Sequence, residues 1–127
     1  MNVNEAAQAV AHQECKSFLE DHLGILGVVI SSLDGFDIAS AVTNGLDPSR
    51  IAAMASSISA IGIVVSQEAA LGSSKSVTVN TEDGFVYITA IQLDAQPCIL
   101  NIIANSSAIL AQVIYRCNEI NKRLTAR

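Results

Sequence analysis

No tryptophan occurs in this chain, and the aromatic residues reduce to three phenylalanines and two tyrosines. Basic residues are scarce as well: seven Lys and Arg stand against twelve Asp and Glu, for a net charge of −5. Nucleic acid calls for a basic surface and often for stacking aromatics, so no nucleic-acid partner is expected. Long apolar runs are missing too. The longest, 24–30 and 61–65, fall short of the roughly 20 residues that a membrane-crossing helix needs, and no membrane insertion is expected. The opening MNVNEAAQ has neither the basic region nor the cleavage pattern of a secretory signal, which points to a cytoplasmic location.

Paired cysteine motifs are also lacking. Cys15, Cys98 and Cys117 form an odd set without CxxC spacing, as expected of free thiols in a reducing compartment. All three lie on apolar stripes or in a strand of buried character, where a thiol packs as a small hydrophobe. The sequon Asn105-Ser106-Ser107 is then a coincidence of small polar residues.

No catalytic constellation is visible. His12 and His22 are nearly three turns apart on one helix, and His12 with Cys15 supplies only two ligands, too few for zinc. The segment Gly72-Ser73-Ser74-Lys75-Ser76 resembles a phosphate loop, but it has Ala69 and Ser74 where glycines are required and runs from helix to strand. Asp34, Asp37, Glu82, Asp83 and Asp94 sit at turns, and no G-x-S-x-G elbow is present. The chain is read as a non-enzyme with no cofactor and no metal.

What is present is apolar. Half the residues are hydrophobic and 15% are charged, a surplus that usually ends in an interface. It is concentrated in Asp47–Leu71, a helix capped by Asp47-Pro48 and closed before Gly72. Ile51, Met54, Ala55, Ile58, Ile61, Val65 and Ala69 form one stripe, and behind it stand Ala53, Ser56, Ser57, Ala60 and Val64. A helix small or apolar nearly all round is covered on both sides, and one domain of this length covers one side with its own sheet. The second side therefore suggests another protein.

Around that helix, residues 5–23 read as a first helix with Ala7, Ala11, Cys15, Phe18 and His22 along one face. Strands 25–33 and 36–42 are joined at Asp34-Gly35. Ser76–Asn80 alternates as an edge strand, 85–91 and 98–103 follow as apolar strands, and a last helix starts at Ser106 or Ser107 with a stripe from Leu110 to Leu124. The order α-β-β-α-β-β-β-α is α+β: a five-stranded antiparallel sheet between helices, in one domain spanning 1–127.

The segment GVVISSLDGFDIASAV, the long small-residue helix, VTVNTEDGFVYITAIQ and the apolar strand before a C-terminal helix together resemble the roadblock family of dynein light-chain-like domains, related to longin and profilin-like folds. The most specific part is Ser32-Leu33-Asp34-Gly35-Phe36, and the likeness covers about residues 5–124. It implies a homodimer, with edge strands joined and central helices side by side. On this chain the mate would meet Ile51, Met54, Ala55, Ile58, Ile61 and Val65, with Val77 and Val79 of the edge strand. Bacterial members of the family resemble regulators of a small Ras-like GTPase, docked on the paired helices; Ala53, Ser56, Ser57, Ala60 and Val64 would face it. Three alternatives stand beside this one: a small-molecule sensor, which needs an apolar cavity with converging polar groups; a structural scaffold without a GTPase; and an enzyme with an unfamiliar site.

Overall fold

The computed structural model describes residues 3–126. Asn4 caps the first helix, its side chain accepting from Ala7 N–H at 2.7 Å. Helix α1 (Glu5–Asp21) then buries Ala7, Ala11, Cys15 and Phe18 at helical spacing. Strands β1 (Ile25–Ser32) and β2 (Asp37–Val42), helix α2 (Pro48–Glu68), strands β3 (Ser76–Thr81), β4 (Gly84–Leu93) and β5 (Gln96–Asn105), and helix α3 (Leu110–Thr125) follow in the order expected.

The sheet runs β2-β1-β5-β4-β3, with every neighbouring pair antiparallel. β1 is buried on both faces because it lies inside the sheet and is covered on both sides. β3 forms one edge and is exposed except at Val77. Helices α1 and α3 share one face, where Phe18, Val28, Ile30, Leu100, Ile102, Ile120 and Leu124 make the larger core. Arg123 braces that layer with a two-pronged bond to Glu14 at 2.8 and 2.7 Å. α2 covers the other face alone, through Ile51 and Ala52 on Val29 and through Ala55 on Ile88 and Ile99.

Three helix ends differ from expectation. α1 stops at Asp21, short of residue 23, with His22 already extended. α2 stops at Glu68, before Leu71: Leu71 N–H donates to Ser66 C=O at 3.0 Å and Ala70 N–H to Gln67 C=O at 3.1 Å. This is the Schellman arrangement, with Ala70 at φ 56° in the left-handed position expected for a glycine. α3 starts at Leu110 after Ile109, without a side-chain cap. Ser107 does not cap it, because Asn105 Oδ1 accepts Ser107 N–H at 2.9 Å and sets an earlier turn.

Candidate protein-interaction surface

The helix α2 lies on the sheet through a narrower and smaller arc than its apolar stripe suggested. Ile51, Ala52 and Ala55 are buried inside the chain. Ile51 and Ala55, expected to meet a second copy, are therefore used up by the sheet beneath them. Ile58 is half-buried against Ile88, Ile99 and Val86. Met54, Ile61 and Val65, also assigned to the mate, remain 56%, 62% and 59% exposed. Val64 and Ile63 are exposed as well.

On β3, Val77 pairs across from Ile88 and Val79 from Val86, so both valines lie on the face that α2 covers. Gly62 brings the helix down onto this strand: a Cβ there would lie 2.8 Å from Val77 Cγ2 and 3.2 Å from Ser74 Oγ. A groove of about 300 Å³ runs between the two, lined by Ile58, Ile61, Val65 and Val77 among others. Ile61 and Val65 in its wall are exposed, as are Met54 earlier on the helix and Val79 on the strand, which forms an open edge of the sheet.

The small residues behind the stripe divide into two groups. The β1–β2 turn packs directly on the helix, with Gly35 at φ 94° and only 3.3 Å from its ideal Cβ position to both Ala53 Cα and Ser56 Cβ. Ser56 Oγ donates to Leu33 C=O at 2.6 Å. Ser56 is thus half-buried under this turn, an internal contact that its spacing alone could not reveal, whereas Ala53 meets the turn with its backbone and stays exposed. Ser57, whose hydroxyl bonds back to Ala53 C=O at 3.5 Å, and Ala60 and Val64 stay on the exposed side.

By length and composition α2 taken whole is apolar enough to cross a bilayer, which the short contiguous runs concealed. Its N-terminal half is nevertheless seated on the sheet, where Asn101 Nδ2 reaches Ile51 C=O at 3.5 Å.

The groups considered for chemistry lie apart. Cys15 is buried while His12 on the same helix is exposed and faces β2. His22 stacks at a tilt on Phe18 and lies 3.5 Å from Arg116 Nη1. Among the described residues no group of three or more His, Cys, Asp or Glu converges as a metal site. Burial pushes the Cys15 and Cys117 thiols up to about 12 and the Cys98 thiol to about 11. Near neutral pH such thiols stay protonated and are poor nucleophiles. A concavity of about 640 Å³ lies at the C-terminal end of α2, lined by Ile63, Gln67, Ala70, Gly72, Ser73 and Ser74. All but Ser74 are exposed, so it is a surface hollow and not an enclosed ligand chamber.

A family model described as Roadblock/LC7 domain matches residues 12–100. No curated protein matches the sequence at a significant level. Among solved structures, a Roadblock/LC7 domain from Streptomyces avermitilis is 16% identical, covering 91% of this chain and 94% of that one with a TM-score of 0.78. Myxococcus xanthus MglB is 16% identical, with 99% and 92% covered and a TM-score of 0.82. The gliding protein MglB from Thermus thermophilus is 12% identical, with 96% and 90% covered and a TM-score of 0.80. At such identities the likeness is one of fold.

Proposed function

The chain belongs to the Roadblock/LC7 domain family, and from that premise we propose that it is a non-catalytic adaptor, working as a homodimer that docks and regulates a small Ras-like GTPase. The observation that carries the proposal is the uncovered apolar surface of α2 and β3. Met54, Ile58, Ile61 and Val65, with Val77 and Val79, are the residues offered to the mate. Joining two β3 edges satisfies backbone groups that would otherwise face water unpaired, and a twofold axis gives both copies the same contact. One solved relative is described as MglB in a tetrameric arrangement, an example of self-association in this fold.

Ser57, Ala60 and Val64 then lie on the outward arc of the paired helices, where the GTPase docks. Their shortness lets a partner's backbone come close. Arg50 is exposed in the first turn of α2, and Arg116 belongs to α3 on the opposite face of the sheet, beside Asp21 and His22. The adaptor acts on the nucleotide cycle by holding the GTPase's own catalytic groups in place, without inserting an arginine. The hollows beside α2 are surface features, which favours an adaptor over a sensor.

The test uses the protein as bait for a Ras-like GTPase from source cells, with and without a non-hydrolysable GTP analogue. Stronger recovery with the analogue is expected, and Ala60→Asp should abolish it; recovery of no GTPase in either condition sinks the proposal. Ile61→Asp should halve the mass measured by light scattering. If Arg50→Ala or Arg116→Ala abolished stimulated hydrolysis, the positioning mechanism would be wrong.

A further inference from the structure

The two edges of the sheet are finished differently. At the β2 edge, Thr43 N–H donates inward to Leu26 C=O at 2.9 Å. By the alternation of an antiparallel ladder, Ile38, Ser40 and Val42 then turn their backbone groups outward. Two of those groups are occupied by α1. Gln8 Nε2 donates to Ile38 C=O at 2.8 Å, and Ser40 N–H donates to His12 Nδ1 at 3.3 Å. A backbone N–H can only donate, so this bond requires His12 with a bare Nδ1.

The spacing makes this possible. Gln8 and His12 are one helical turn apart, about 6 Å along α1, while Ile38 and Ser40 are about 6.6 Å apart along β2. The helix can therefore lay successive side chains on successive outward groups. The register also breaks here: Ile30 pairs with Ala39 and Ser31 with Asp37, leaving Ile38 as an extra residue. The bulge is confined to that point, and Ala39–Val42 pair with Ile30–Gly27 in unbroken register, so most of this edge would still serve as a template.

Nothing comparable protects β3. It pairs with β4 without a register shift from Ser76 to Thr81, and among the described residues no helix side chain hydrogen-bonds to its backbone. A chain with two open edges adds copies without limit, whereas a single open edge, paired with itself about a twofold axis, closes at two.

We propose that Gln8 and His12 are edge guards that confine strand pairing between copies of this chain to β3, so that self-association closes at a dimer. The inference rests on the dimer proposed above, but concerns the opposite edge and separate residues. Gln8→Ala with His12→Ala removes both bonds and leaves the buried face of α1 unchanged.

Light scattering across a wide concentration range should find the double variant at least double the parent's mass, growing with concentration. Adding Val79→Lys, which spoils the β3 edge, should return it to pairs joined through β2. Exchange of the Ser40 amide, followed by NMR, should quicken about five-fold in His12→Ala as its acceptor is lost. A double variant that keeps the parent's mass at every concentration overturns the proposal, even where the amide exchanges faster. Should the double variant unfold, His12→Ala alone is judged by the same mass criterion. A monomeric parent would refute the dimer, yet a variant that then paired would still support the guards.

Discussion

Gly62 stands inside α2, where a glycine costs about 1 kcal/mol relative to alanine. Gly62→Ala should therefore stabilise the helix, unless the missing side chain has a use. The structure supplies one: the added Cβ would lie 2.8 Å from Val77 Cγ2, against an ordinary carbon–carbon separation of about 3.5–4.0 Å. Relieving that overlap moves β3 or α2 by roughly 1 Å, and overpacking of this kind costs about 1–3 kcal/mol. The two effects oppose each other, with a net loss of about 1 kcal/mol expected. Val77→Ala removes the obstructing methyl, so the double variant should be more stable than the sum of the single changes by about 1 kcal/mol or more. Urea denaturation measures all four proteins over a series of protomer concentrations, and extrapolation to the lowest separates out association, in which Val77 is proposed to take part. If Gly62→Ala were stabilising by the full helix-propensity gain, and additive with Val77→Ala, the close approach of α2 to β3 would be refuted.

Two alanines occupy left-handed backbone positions, Ala70 at φ 56° and Ala95 at φ 60°. Ala70→Gly and Ala95→Gly should each stabilise by about 0.5–1 kcal/mol, the relief of Cβ strain being partly offset by a more flexible unfolded chain; unchanged urea midpoints would contradict these conformations. The buried thiols give a pH dependence. Each folded thiol titrates above its ordinary value of 9.0, so their contribution is whole below about pH 9. Above it the unfolded chain loses protons that the folded chain keeps. Stability then falls by about 1.4 kcal/mol per pH unit for each thiol, until the folded thiols ionise near pH 11–12. Denaturation at pH 8 and pH 10 should differ by about 4 kcal/mol, a thiol reagent should label the native protein slowly, and a flat profile with rapid labelling would refute their burial.

The strands were legible because two-residue periodicity and turn residues fix their order and their faces, though β4 and β5 run two residues longer at their joined ends than the expected 85–91 and 98–103. Ser76–Asn80 alternates polar with apolar and does form an edge; β1 reads as apolar on both sides and is covered on both. The orientation of α2 was not legible. Ile51, Met54, Ala55, Ile58, Ile61, Val65 and Ala69 step along one helical face, yet the sheet takes only Ile51, Ala55 and part of Ile58 from it, together with Ala52 on the neighbouring arc. When both arcs are apolar, periodicity identifies a helix covered on two sides without saying which side meets the sheet. The Gly35 turn that packs on Ala53 and Ser56 was hidden for a related reason, since it is distant from them in sequence. The α3 start was misplaced because Asn105 competes with the serines for local backbone donors.

The strand order also sets the timetable of synthesis. β1 pairs on one side with β2, made directly after it, but on the other with β5, the last strand to leave the ribosome. α2 emerges while Ile88 and Ile99, on which Ala55 rests, are still untranslated. A nascent segment with the hydropathy of a membrane span therefore waits without its sheet. Closure between β1 and β5 joins distant parts of the chain, a topology that slows folding and prolongs the exposure of apolar surface. The helix whose Met54, Ile61 and Val65 stay exposed in the finished fold is thus left bare on its sheet-facing side as well until the last strands arrive.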